Sequence, residues 1–582
     1  MRSWVGGALL GVLGAAGCSD GATTAAADAG SVGLDASRDA ANSDASVAAD
    51  VSSTEAAVDP GVRDVPARAP VASVLVETGV RRERFFVDAP APPANPTTSV
   101  ATPAMLNRVP VLRYRSDVTP AAQVQAVVIA MPGFLGGAGS FDPLARALVR
   151  RSVAAHAPVE VWAIDRRSNL LEDLRGMDAA DALGDPEVAA GYYYDHSVTV
   201  GGASFGGYLS ATDPSISYMS EWGLASTVAD LRAVVTRVPD SRHHVVLIGH
   251  SLGATIVEAY AAWDFDGTPG YRSVAALGVL DGVANGTPST EAAWHTGFTS
   301  AFGPAAGVDD TRRAGPFFTA LPILGVQALA ISEIVGRRAA LHPDAVVADP
   351  VRDRVLRLLL GVTAVPPMSN AAAMGFSFDD RSCPLAFARM SLGQPVGPVR
   401  MAANAFMAGE QLVVPANGTT TFAWTDAPAS TPPEFSTIAG AAGSWSTSPT
   451  NFSEWYFPSR ITLDAAAVGG LRITSDAWQV REGLRVTHDA DVDVPVLAVS
   501  AALTGGTSAF DGMRARLAPV GSDLPNAGAA RTVEAAFHAV FVPGMSHLDA
   551  ITGADDGTRN PVPGLVDAFA RATTAGVVTV GP

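Results

Sequence analysis

Residues 243–255 run His-His-Val-Val-Leu-Ile-Gly-His-Ser-Leu-Gly-Ala-Thr, and no other stretch of the chain constrains its fold as tightly. The four aliphatic residues from Val245 to Ile248 have the composition of a strand buried on both faces. A helix-forming run follows Gly253. Between the two, Gly-His-Ser-Leu-Gly leaves room only for a very tight turn. A serine in a turn of this form is expected in a strained backbone conformation with its hydroxyl exposed. Gly249 and Gly253 flank it because a β-carbon at either position would collide with the adjoining strand and helix. In a chain with 57 glycines a Gly-x-Ser-x-Gly match is weak alone; the strand before it and the helix after it give it force.

The chain has 582 residues, too many for one compact core, so a large domain with an insertion, or two domains, is expected. A net charge of −18 argues against a nucleic-acid partner and for a soluble acidic surface. All 39 basic residues are arginine, which excludes a lysine Schiff base and a P-loop lysine. The two cysteines, Cys18 and Cys383, supply neither a disulfide framework nor a cysteine-based metal cluster. Cys383, in Asp-Arg-Ser-Cys-Pro, reads as a small buried hydrophobe. No metal and no organic cofactor is implied.

Residues 1–17 read as a secretory signal: Arg2, then an apolar run from Trp4 to Gly14 too short to span a bilayer. Ala15-Ala16-Gly17-Cys18 resembles a bacterial lipobox, with Ala15 where leucine is usual. The resemblance implies that Cys18 is lipidated and anchors the mature chain to a membrane of the cell envelope. Ordinary cleavage leaving a free Cys18 is the alternative. Residues 18–68 are almost all Ala, Asp, Ser, Gly, Val and Thr, without an aromatic side chain. Such a segment buries too little apolar surface to offset its conformational entropy and is expected to be a disordered tether.

From residue 69 onward the pattern is that of a folded protein. Buried-strand runs at 124–131, 159–164, 245–250 and 274–280 alternate with helical runs at 141–151, 222–238 and 252–263. This is the alternation of a parallel sheet covered by helices. It stops at residue 282, and an insertion over 283–490 follows, with helical signals at 317–338, 350–360 and 370–390. The alternation resumes with strands at 494–499 and 535–542 and a closing helix at 562–572. The domain division is thus core 69–282, insertion 283–490 and core 491–582.

These motifs make the chain resemble the α/β-hydrolases, over roughly residues 105–282 and 490–575, with the insertion where that family places a cap. The 249–253 stretch has the form of the family's nucleophile elbow. The resemblance implies an α/β fold with a mostly parallel sheet and a mainly helical cap. It makes Ser251 the nucleophile and His547, in Gly-Met-Ser-His-Leu-Asp after the last strand, its base. The oxyanion donors would be the backbone N–H of Leu252 and one from Pro132-Gly133-Phe134-Leu135, with Phe134 ahead of Leu135.

The acid is less direct. The family's usual place, after the strand preceding the histidine strand, reads Ser500-Ala-Ala-Leu-Thr504-Gly-Gly and holds no carboxylate; Asp511 follows at a helix start. A second place, after the strand that follows the nucleophile helix, holds Asp281, which ranks ahead of Asp511. His250 is not the base, and His243 and His244 are expected in solvent. Arg166 and Arg167 are expected to pair with Glu172 and Asp173, meeting a substrate carboxylate being the alternative. The aromatic run after Glu454 either packs the cap or lines an acyl pocket.

The activity implied is cleavage of carboxylic esters through an acyl-enzyme. The large apolar cap favours a lipase or long-chain esterase. The same triad would serve acyl transfer, thioester or amide hydrolysis, and polyester cleavage. The absent acid at the usual place also leaves open a non-catalytic envelope lipoprotein that binds a lipid or a partner.

Overall fold

The computed structural model describes residues 62–67, 73–300, 303–319, 324–426, 434–518, 536–557 and 559–579. The expected signal segment, Cys18 and most of the tether lie outside them. Among the described residues no helix is long and apolar enough to cross a membrane.

A nine-stranded sheet organises the chain. In chain order its strands are β1 (Ser73–Glu77), β2 (Val80–Asp88), β3 (Arg108–Ser116), β4 (Ala126–Met131), β5 (Val159–Ile164), β6 (Val245–His250), β7 (Ala276–Leu280), β8 (Val496–Ser500) and β9 (Phe537–Phe541). Their spatial order is β1-β2-β3-β5-β4-β6-β7-β8-β9. The first three form an antiparallel meander, and β3 meets β5 antiparallel. From β5 to β9 every pairing is parallel. After β4 the chain crosses to β5 on one side and then returns to β6 on the other. The carboxyl ends of β4 and β6 therefore flank a topological switch point, where a crevice opens in sheets of this kind.

Alternation along the strands feeds two cores. Val127, Ile129 and Met131 of β4 face one side, with the buried stripe Leu224, Val228, Leu231 and Val235 of α2 (Leu224–Thr236) and with α3 (Leu252–Ala262). Ala126, Val128 and Ala130 face the other, with α1 (Asp142–Ala154) and the closing helix α7 (Val562–Thr573).

The insertion between β7 and β8 combines helices with short two-stranded pairings. Helix α4 (Gln327–Leu341) starts ten residues later than the sequence suggests, because Phe318 and Thr319 pair instead with Pro458 and Phe457. Helix α5 (Pro350–Leu360) has the expected bounds; the Asp349 carboxylate caps its start and Gly361, at φ 62°, ends it. Helix α6 (Asn370–Phe378) stops well short of residue 390. Asp379 turns extended there, and its carboxylate takes the N–H groups of Arg381 and Leu392. The segment expected as a tether, 18–68, includes a short strand. Arg63–Val65 forms a parallel pair with Val198–Val200, because Val65 is buried and its carbonyl accepts from Gly201 at 2.7 Å.

Candidate active site

Ser251 sits between β6 and α3 with φ 57° and ψ −125°, a region that non-glycine residues seldom occupy. The packing around the turn accounts for this. A Cβ on Gly249 would lie 2.2 Å from the Gly253 carbonyl oxygen, and one on Gly253 would lie 2.2 Å from that of Met131. Gly282, which the sequence did not single out, is held the same way: its Cβ would lie 2.2 Å from the Ser251 carbonyl oxygen.

His547 lies in the loop after β9, buried, with its Nδ1 2.8 Å from Oδ2 of Asp281. Asp281 ends β7 at φ 44° and is fully buried. The backbone N–H groups of Ala501, Leu503 and Thr504 donate to its carboxylate at 2.9–3.0 Å, and Thr504 Oγ1 donates at 2.7 Å. Burial works against ionisation, but the bonds from His547 and Thr504 outweigh it and hold the carboxyl at about 2. The loop after β8 holds no carboxylate of its own; its N–H groups and the Thr504 hydroxyl donate to the carboxylate at the end of the neighbouring strand. Asp511 is exposed at the start of a short helix, and Asp281 occupies the Nδ1 side of the imidazole.

His250 lies beside His547 with ring centroids 4.4 Å apart and the rings tilted by 32°, and its Nε2 lies 3.0 Å from the His547 carbonyl oxygen. Burial, with His547 beside it, lowers its pKa to about 3. The neutral ring therefore donates Nε2–H to that carbonyl and holds the loop. Insertion residues hold it as well. Ser546 Oγ donates to Asp380 at 2.9 Å, the Leu548 N–H donates to the Arg389 carbonyl at 2.9 Å, and Asp549 accepts from the Ser391 and Ser436 hydroxyls at 2.7 and 2.6 Å. His244, expected in solvent, is buried at the start of β6.

The loop after β4 packs directly on the serine. A Cβ on Gly133 would lie 3.2 Å from Ser251 Oγ. Leu135 follows at φ 57°. Leu252 is the first residue of α3, so its N–H has no acceptor within the helix. Phe134 and Leu135 line the same cavity as Ser251, and Leu252 follows it in the chain.

The two arginines after β5 do not meet Glu172 or Asp173. Arg167 is bound by Asp230 of α2, and Arg166 by Glu454 of the insertion and by carbonyls of the 132–136 loop. The turn after β5 ends at the switch point, which brings Arg166 under that loop. Trp455, Tyr456 and Phe457 are buried packing residues, with Phe457 edge-on to Phe134 at 5.0 Å. The fold is that of an α/β-hydrolase.

A cavity of about 130 Å³ opens onto Ser251 and His547. Its walls are mainly apolar, with Leu329, Ile331 and Val335 of α4, Val355, Leu356 and Leu359 of α5, and Phe387 and Phe452; Arg352, Ser332, Ser377 and Ser453 are among its polar lining. Cys383 is buried at its edge, where burial pushes the thiol up to about 11. Among the described residues one group has metal-site spacing, Glu291, His295 and Glu482 of the insertion. None of the three lines the cavity; His295 Nδ1 lies 3.0 Å from Asp309.

No family model matches the chain, and no curated protein matches it. Solved structures with similarity include a candidate lipase from Sulfolobus solfataricus, at 12% identity and TM-score 0.41, covering 86% of this chain and 98% of that one. A peroxisomal α/β-hydrolase from Saccharomyces cerevisiae matches at 9% identity and TM-score 0.35, covering 87% and 91%. An epoxide hydrolase from an endophytic Streptomyces matches at 15% identity and TM-score 0.34, covering 85% and 98%. Strand order, switch point and elbow, all properties of this chain itself, define the fold.

Proposed function

We propose that the protein is a serine hydrolase that cleaves carboxylic esters with an apolar acyl or alcohol group, as a lipase or long-chain esterase does. The observation that carries this reading is the Asp281 carboxylate held by five donors, one of them the imidazole of His547, beside a strained Ser251 at one apolar cavity. Ser251 Oγ attacks the ester carbonyl as its proton passes to Nε2 of His547, and Asp281 stabilises the imidazolium. The tetrahedral oxyanion lies against the N–H groups of Phe134 and Leu252. Collapse expels the alcohol, which takes the proton from His547. Water then attacks the acyl-enzyme with His547 again as base, and the carboxylic acid leaves.

The non-catalytic alternative rested on an absent acid, and it weakens with Asp281 paired to His547. A series of nitrophenyl esters tests the reading. Rising kcat/KM from acetate to octanoate supports it, and no turnover of any ester by folded protein counts against it. Attachment to the cell envelope through a lipidated Cys18 is part of the same proposal. Labelled fatty acid should enter the wild-type chain and not Cys18→Ser.

A further inference from the structure

The loop that packs on Ser251 is held from behind by a buried charge pair, and the acid of that pair comes from the insertion. Arg166 Nη2 donates to the carbonyls of Pro132 at 2.5 Å and Gly133 at 3.1 Å. Its Nη1 donates to the Gly136 carbonyl at 3.3 Å and to Glu454 Oε2 at 2.7 Å. A trans peptide points its C=O and N–H in opposite directions. Drawing the Gly133 carbonyl onto Arg166 therefore turns the Phe134 N–H away from the arginine, and the Gly133 backbone abuts Ser251. Three carbonyls do not neutralise a buried guanidinium, which is costly without a counter-charge. Glu454 is that counter-charge. It is wholly buried, its other oxygen is taken by the Ser168 hydroxyl, and its own N–H donates to the Leu135 carbonyl at 2.8 Å.

We propose that Glu454 is a positioning residue for ester cleavage, fixing Arg166 and, through it, the orientation of the Phe134 N–H that receives the oxyanion. The insertion then supplies part of the catalytic geometry as well as the substrate pocket. This rests on the serine-hydrolase reading above.

The test compares Glu454→Gln and Ser168→Ala with wild type, using nitrophenyl butyrate as substrate and a trifluoromethyl ketone as analogue of the tetrahedral intermediate. Loss of one oxyanion donor costs about 10²–10³ in rate, so loss of its support in Glu454→Gln should lower kcat about 10- to 100-fold. KM should stay within about twofold, and the ketone's inhibition constant should rise by the same factor as kcat falls. Ser168→Ala removes one bond and no charge; it should show the same pattern at about threefold to tenfold with an unchanged melting temperature. A folded Glu454→Gln with wild-type kcat, or one that loses rate while the ketone binds as before, would overturn the proposal. If Glu454→Gln does not fold, Ser168→Ala decides on the same criteria. If wild type neither turns over esters nor reacts with a fluorophosphonate at Ser251, the serine-hydrolase reading fails first. A reactive wild type with unaffected variants sinks only the role of Glu454.

Discussion

At the scale of single residues, Ser251 and His547 announce themselves because each lies in a short local pattern, a tight turn between strand and helix and a loop after a strand. Asp281 does not, because the donors that make it a stable buried carboxylate lie about 220 residues further on, at Ala501 to Thr504. Only the fold brings β7 and β8 side by side. Asp281→Asn should lower kcat by about 10⁴, the scale seen when an orienting acid is neutralised in this way, and Asp511→Asn should stay near wild type. Nitrophenyl ester kinetics check both, and equal losses would remove Asp281 from its role. His250 carries a second prediction. Its ring stays neutral in the folded protein down to about pH 3, whereas the unfolded chain takes up the proton near 6.5. The unfolded state therefore binds more protons between these values, and stability must fall as pH drops through that window. His250→Asn should flatten the slope of unfolding free energy against pH there by about one proton; denaturant melts from pH 7 to 4 measure it. The Asp281 contribution, from a carboxyl held near 2, is lost only at lower pH.

At the scale of elements, the buried strands and the helices α2, α5 and α7 were legible because their apolar periodicity runs uninterrupted over a full strand or several helical turns. The misread pieces are those where pairing with a distant segment overrides local preference. Phe318 belongs to a two-stranded pairing with residue 458, and Val65 to one with residue 200. Residues 451–454 were equally opaque. They lie against the loop at Leu135 to Gly139, with Gly137 N–H on the Phe452 carbonyl at 2.8 Å, and nothing in their composition marks such a role. The facing walls of α4 and α5 define the cavity, so a larger side chain there should shorten the ester accepted. Leu356→Trp should leave acetate turnover within about twofold and lower kcat/KM for octanoate about tenfold or more, since one methylene in an apolar pocket already discriminates 10- to 200-fold. A uniform loss across chain lengths would place the acyl chain elsewhere.

At the scale of the whole molecule, the insertion is continuous with the α/β core. Trp455, Phe457 and Ile461 join the core on one face of the sheet, and Ile331, Met374 and Phe376 join the core on the other. Asp380, Ser391 and Ser436 hold the loop that bears His547, and Glu454 holds Arg166. Joining residue 282 to residue 491 by a short linker should therefore leave a chain that lacks cooperative unfolding by circular dichroism, whereas a detachable lid would leave a folded core. The halt of the strand–helix alternation at 282 and its return near 494 could be read along the chain. The mutual dependence of core and insertion could not, since it consists of contacts between segments hundreds of residues apart. The central claim is that Ser251 is an activated nucleophile, and labelling by a fluorophosphonate, read by intact mass, tests it most directly. One adduct per folded wild-type chain, none on Ser251→Ala, and much slower labelling of His547→Ala are predicted; a folded wild-type protein that takes up no label, or labels equally after Ser251→Ala, would contradict it.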